Sequence, residues 1–186
     1  MAEVLETLRE DHVNLSALLR LFEKQLEPFE AGEHPDYELL SDVADYCLNY
    51  PDLRHHPMED AVLEKLRDVD PDAAARVGDL EAHHEALREL TRRLLAAIHQ
   101  ILNDAEVDRQ AVVKLAQDFL RNYRNHIDAE DSDFFPAAEA ALSEVDWAEV
   151  ANNVAELEDP LFGDKVAEEY QMLHRAILSW GDPTKT

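Results

Sequence analysis

Apolar residues return every three or four positions along most of the chain, and the runs in which they do so predict four long helices. The first, from about Ala2 to Leu26, lines up Leu5, Leu8, Leu15, Leu19, Phe22 and Leu26 and stops before Pro28. His12 is the one polar residue on that stripe. The second starts at Asp36 as N-cap and runs to about Arg67, where Asp68-Val69-Asp70-Pro71 stops it. Its stripe passes through Val43, Cys47, Leu48, Asp52, His55, Glu59, Val62 and Leu66. Pro51 and Pro57 fall inside this run, and each removes a backbone donor, so a kink or break is expected near Pro51. His56 and Asp60 lie about 100° round from the stripe, at its boundary.

The third helix is predicted from Pro71 or Asp72 to Leu102, with Leu80, His84, Leu87, Leu94, Leu95, Ile98 and Leu102 inward. His83 shares a second stripe with Leu87, Leu90, Leu94 and Ile101, so the two adjacent histidines compete for the inward place. Asp108 caps the fourth, whose face carries Val112, Leu115, Ala116, Phe119, Tyr123, His126, Glu130 and Phe134. Pro136 kinks or ends it, and helix continues to about Leu142. After Asp146 come two short amphipathic pieces, Trp147 to Leu157 and Pro160 or Leu161 to Trp180. Four long helices with short connections form an antiparallel up-down four-helix bundle by default. The expectation is an all-α protein in which residues 1–142 are that bundle and 143–186 an additional helical extension packed on it.

Composition narrows what such a bundle can do. A formal net charge of -25 opposes binding to nucleic-acid phosphates or anionic membranes, both of which need clustered Lys and Arg. The single cysteine, Cys47, cannot form an internal disulfide and reads as a small core residue, and no apolar run reaches the length of a membrane span or a leader. A cytoplasmic address follows, as a monomer or a homodimer, since the charge opposes loose self-association while the C-terminal helix leaves pairing open.

The chemistry sits where the stripes turn polar. Histidines followed four residues later by an acid number four, at His34/Glu38, His55/Glu59, His56/Asp60 and His126/Glu130, where chance expects about two for 9 His and 42 acids. Spacing alone is a weak signal, but His55/Glu59 and His126/Glu130 lie on core stripes. In a bundle the inward polar set is then His12, His55, Glu59, His84, His126 and Glu130. Burying these groups unpaired costs several kcal/mol per charge, and a bound metal is the simplest compensation. Nitrogen and oxygen donors without thiolate suit iron, manganese or zinc. His34 lies in a Gly/Pro turn, His99 is off the stripe, and His174 reads as packing; Tyr123 reads as a core tyrosine ahead of a donor to a bound ligand.

These residues together resemble the hemerythrin-like, or HHE cation-binding, domain. The resemblance spans about Glu6 to Ala138 and rests on Asp11-His12, on His55-His56 with Glu59-Asp60, on a histidine within Glu81-Ala82-His83-His84, and on His126 and Glu130 before Phe134-Phe135-Pro136. It implies a four-helix up-down bundle around a non-haem di-iron centre bridged by two carboxylates and an oxo or hydroxo group. By position His12, His55, His84 and His126 would be terminal ligands, with Glu59 and Glu130 as bridges. Iron is expected ahead of manganese or zinc. Oxygen-carrying members have two histidines four apart on the third helix, whereas here position 80 is Leu and position 88 is Arg. His126 and Asp131 meet their fourth-helix spacing, yet Glu130 fits the buried face better. The outer ligand left over falls to His56, His83, Glu81 or water. The implied ligand is dioxygen, nitric oxide or peroxide, in a sensing or buffering role for oxygen, redox state or iron. The alternative is an enzyme that turns over peroxide or nitric oxide, or donates iron for cluster repair.

Overall fold

The computed structural model describes residues 3–154 and 158–179, and among these every regular element is helical. Helix α1 (Glu3–Glu30) outlasts Pro28, the expected stop. Buried Phe29 explains the extra turn: its ring packs edge-on against Tyr37, and the Arg109 guanidinium lies 4.7 Å from its centroid. Packing therefore outweighs the one lost backbone bond.

The second run is one bent element in three parts. Helix α2 (Tyr37–Tyr50) starts at Asp36, whose carboxylate accepts the Leu39 amide at 3.0 Å. A π-helical turn follows at Pro51–His55, and α3 (His56–Val69) continues from it. The fourth run repeats this plan. Helix α6 (Arg109–Ala129) passes through a π turn at Glu130–Phe134 into α7 (Phe135–Ala141). Each π turn ends two residues before a proline, Pro57 or Pro136. Proline lacks the amide and clashes with the carbonyl four residues earlier, and a turn widened to five-residue bonds relieves that clash. The closing bonds run from the His56 amide to the Pro51 carbonyl and from the Phe135 amide to the Glu130 carbonyl.

The third run is not continuous. It divides into α4 (Pro71–Val77) and α5 (Leu80–Leu102) at Gly78, whose φ of 87° is open to glycine and strained for other residues. Asp79 then caps α5 through the Ala82 amide. Helix α8 (Glu144–Asn153) opens with a Ser143/Asp146 capping box. Past it the single helix expected up to Trp180 is broken, because Asp159 accepts the Leu161 and Phe162 amides in a tight turn. Gly163 completes that turn, where a Cβ would lie 2.4 Å from the Asp159 carbonyl oxygen. Only α9 (Gln171–Ser179) is α-helical there, and Ala155 to Leu157 and Trp180 lie outside the described residues.

Helix α2 packs on α5, α5 on α6, α6 on α1 and α1 on α2, while α8 lies against α3 and α1, and α9 against α2. Along α1 and α6–α7, Arg9 reaches Glu139, His12 reaches Asp131, Glu23 reaches Arg124 and Glu30 reaches Gln117. The buried side chains fall into two apolar clusters. One, around Leu19, Phe22, Tyr46, Leu94 and Phe119, includes Cys47, whose thiol burial holds protonated. The other, around Leu5, Leu8, Val62, Leu66, Phe134 and Phe135, closes the opposite end. Among the described residues no helix is long and apolar enough to cross a membrane.

Candidate metal centre

Between the two apolar clusters lies a polar layer. His12 sits between Leu8 and Leu15 of α1, and His84 between Leu80 and Leu87 of α5. His55, His56 and Glu59 come from the first π turn and the start of α3, and His126 and Glu130 from the junction at the second π turn. All seven are buried, and Glu59 is 0% exposed.

The donor atoms converge as two groups, each within 4.8 Å: His12, His55, Glu59 and Glu130, and His56, Glu59, His84 and His126. Both glutamates reach both sides. Glu59 turns Oε1 to His55 at 3.4 Å and Oε2 to His84 at 3.2 Å. Glu130 turns Oε2 to His12 at 3.2 Å and Oε1 to His126 at 3.3 Å. Proximity is not satisfaction, however. Both Glu59 oxygens, Glu130 Oε2 and His126 Nδ1 are buried without a hydrogen-bond partner. Buried polar atoms in a folded protein are nearly always paired, so three orphaned carboxylate oxygens in one layer fit a site shaped for a cation.

His56 belongs to this layer although an unbroken α-helix would turn it aside. The π turn shifts the helical phase, so that consecutive histidines face the same interior. Its ring stacks on that of His84 with centroids 3.8 Å apart. Glu81 and His83, also weighed as outer ligands, are exposed on α5 and stand outside both groups. Tyr123 donates its hydroxyl to the Cys47 carbonyl at 2.9 Å, which favours the packing role. His34 and His99 are exposed and His174 is half-buried on α9.

Behind the donors stands a set of residues whose roles the periodicity does not disclose. His55 Nδ1 lies 3.1 Å from buried Asp11, which also accepts the Tyr50 hydroxyl at 2.9 Å. Arg54 in turn donates to that hydroxyl at 2.8 Å. His12 Nδ1 lies 3.0 Å from Asp131, and His56 Nδ1 2.9 Å from Asp52. Arg88, one turn past His84 on α5, grips Asp52 through Nε and, at 2.8 Å, Nη2. A carboxylate on Nδ1 fixes the tautomer and aims Nε2 into the layer. The signal for these partners was an acid one residue before His12 and four residues before His56.

Electrostatics divides the imidazoles. Burial opposes charge on His55, yet Glu59 and Asp11 outweigh it and lift its pKa to about 10. His84 rises to about 9 in the same way, with Glu130 and Glu59 overcoming burial. Burial dominates at His56, which falls to about 4, and at His126, which falls to about 3. Burial would also raise Glu59, but His55 beside it holds its carboxyl well below the usual range. Glu130 moves up, through burial and the Glu59 charge. Apart from their pairing, these groups give a water-poor site of five imidazoles and two carboxylates, a donor set for a borderline or hard divalent metal.

Comparison with known proteins agrees with this chemistry. The sequence profile described as "Hemerythrin HHE cation binding domain" matches residues 3–138. The uncharacterized protein Mb2018 of Mycobacterium bovis is 27% identical over 96% of this chain and 73% of its own length. The same figures hold for the uncharacterized protein Rv1995 of Mycobacterium tuberculosis. No solved structure matches the chain.

Proposed function

Because the chain belongs to the hemerythrin HHE cation-binding family, we propose that its polar layer is a non-haem di-iron centre that binds dioxygen, nitric oxide or peroxide. In this reading an antiparallel up-down four-helix bundle presents His12 and His55 to one iron and His56, His84 and His126 to the other. Glu59 and Glu130 would supply the carboxylate donors, each reaching histidines of both sides. The observation that carries the proposal is the pair of donor groups sharing Glu59, with both its carboxylate oxygens buried and unpartnered.

Bound iron would supply a redox-active Lewis acid. The chain's own part is to orient and to exclude. Phe135 stacks on the His12 ring at 5.0 Å and walls off one side, and Asp11, Asp131 and Asp52 hold three imidazoles in place. The function that fits is sensing or buffering of oxygen, redox state or iron in the cytoplasm, by a chain acting alone or as a pair.

A second reading, turnover of peroxide or nitric oxide or donation of iron, draws support from a cavity of about 620 Å³ beside His56 and His84, through which small reactants could pass. An optical spectrum of protein reconstituted with iron without oxygen, then exposed to air, tests the proposal. Stable new near-ultraviolet and visible bands support binding, and bands that decay with catalytic use of an added reductant support turnover. A flat spectrum with little bound iron rejects iron at this site.

A further inference from the structure

The two donor groups share Glu59 but not their surroundings. Both imidazoles of the first group are backed by carboxylates, His55 by Asp11 and His12 by Asp131. Asp11 is itself 3% exposed and held by Tyr50, with the Arg54 guanidinium 3.6 Å away, while Asp131 is exposed. In the second group His126 Nδ1 is buried with no partner, so nothing fixes its tautomer. His56 has half-buried Asp52 behind it, gripped by Arg88, so the second group has one backed imidazole and one that is buried and unbacked, where the first has both backed. Each such carboxylate changes metal affinity by about 10- to 100-fold.

Access differs as well. The cavity of about 620 Å³ is lined by His56 and His84 of the second group, whereas His12, His55 and Glu130 do not line it. Its wall adds Asp60, Asp79, Glu81 and Glu85, acids that favour a cation over an anion on the way in.

We propose that the two halves of the pocket hold metal with unequal strength, the His12/His55 half tightly and the His56/His84/His126 half exchangeably. In the exchangeable half Arg88 and Asp52 are positioning residues: Arg88 fixes Asp52, and Asp52 aims His56. Metal enters and leaves that half through the acidic cavity, which gives the protein one retained ion and one it can release. This deepens the reading of the layer as a two-metal centre and rests on it.

The test is an oxygen-free titration of the full chain with cobalt(II) alone, in competition with a chromophoric chelator. Two steps at least tenfold apart are expected. Asp52→Asn and Arg88→Ala should each weaken only the second step, by about tenfold, with Arg88→Lys recovering part of the loss. Asp11→Asn should weaken the first. Thermal melts of the metal-free variants identify any loss caused by misfolding, and Arg88, being partly exposed, should melt like the parent. Two indistinguishable steps, or an Arg88→Ala variant that loses the first step, would overturn the asymmetry. Absence of any binding would instead reject the two-metal reading itself.

Discussion

The apolar clusters and the polar layer between them answer to opposite rules. In the cluster around Phe22 and Phe119 every buried surface stabilises the fold, and the two rings meet at 5.3 Å. The layer of His12, His55, His56, Glu59, His84, His126 and Glu130 is as deeply buried, yet it leaves polar atoms orphaned. That contrast marks the layer as a place where stability is given up for binding.

The largest effect should come from the apolar side. Phe119→Ala leaves a cavity where the side chain is 0% exposed and should cost about 3–5 kcal/mol in urea unfolding. Metal bound per folded chain should not change, and a loss there would blur the division between the two regions. Next in size is protection by metal: at a hundredfold excess over its Kd a ligand adds about 2.7 kcal/mol. Glu59→Gln, which removes a carboxylate common to both groups, should abolish the corresponding rise in melting temperature.

A change within the layer should have the opposite sign from one in the core. His126→Leu removes the unpartnered Nδ1, so the metal-free protein should gain about 1–3 kcal/mol while losing affinity for metal. A less stable metal-free variant would mean that His126 is satisfied after all.

The smallest effect concerns the surface. Half-exposed Asp42 is raised to about 6, by burial and by Asp45, Glu38 and Asp36 around it. Its folded pKa exceeds its unfolded value of 3.8, so it favours folding below about pH 4, and that contribution is lost as pH rises through about 6. Asp42→Asn should therefore raise the melting temperature above pH 6 and not below pH 4. Solvent screening limits the gain to about 1 kcal/mol or less, and added salt should shrink it further.

Much of this was legible in the chain because each long helix keeps an apolar period, and a polar residue on the stripe then declares itself. His12, His55, Glu59, His84, His126 and Glu130 were found that way, and the structure gathers all six. His56 was less legible, since its inward turn depends on a π segment whose trace in the sequence is proline two residues past its end. The kink expected near Pro51 is the π turn at Pro51–His55, and Pro57 just past its end is the second ring the wider turn accommodates. The breaks at Gly78 and Gly163 depend on backbone conformation, which periodicity does not report, and the extension of α1 beyond Pro28 depends on packing by Phe29. Asp52 has a local trace, four residues before His56, but its pairing with Arg88 spans 36 residues, so no local pattern announces that contact.

The most direct test of the central claim is to count the metal. Protein equilibrated with ferrous iron without oxygen, its bound metal read by equilibrium dialysis, should carry about two irons per chain, one for each donor group. Glu59→Gln prepared alongside it should carry markedly less. Parent protein that retains no iron, or a variant that retains as much as the parent, would contradict the assignment of the polar layer as the metal centre.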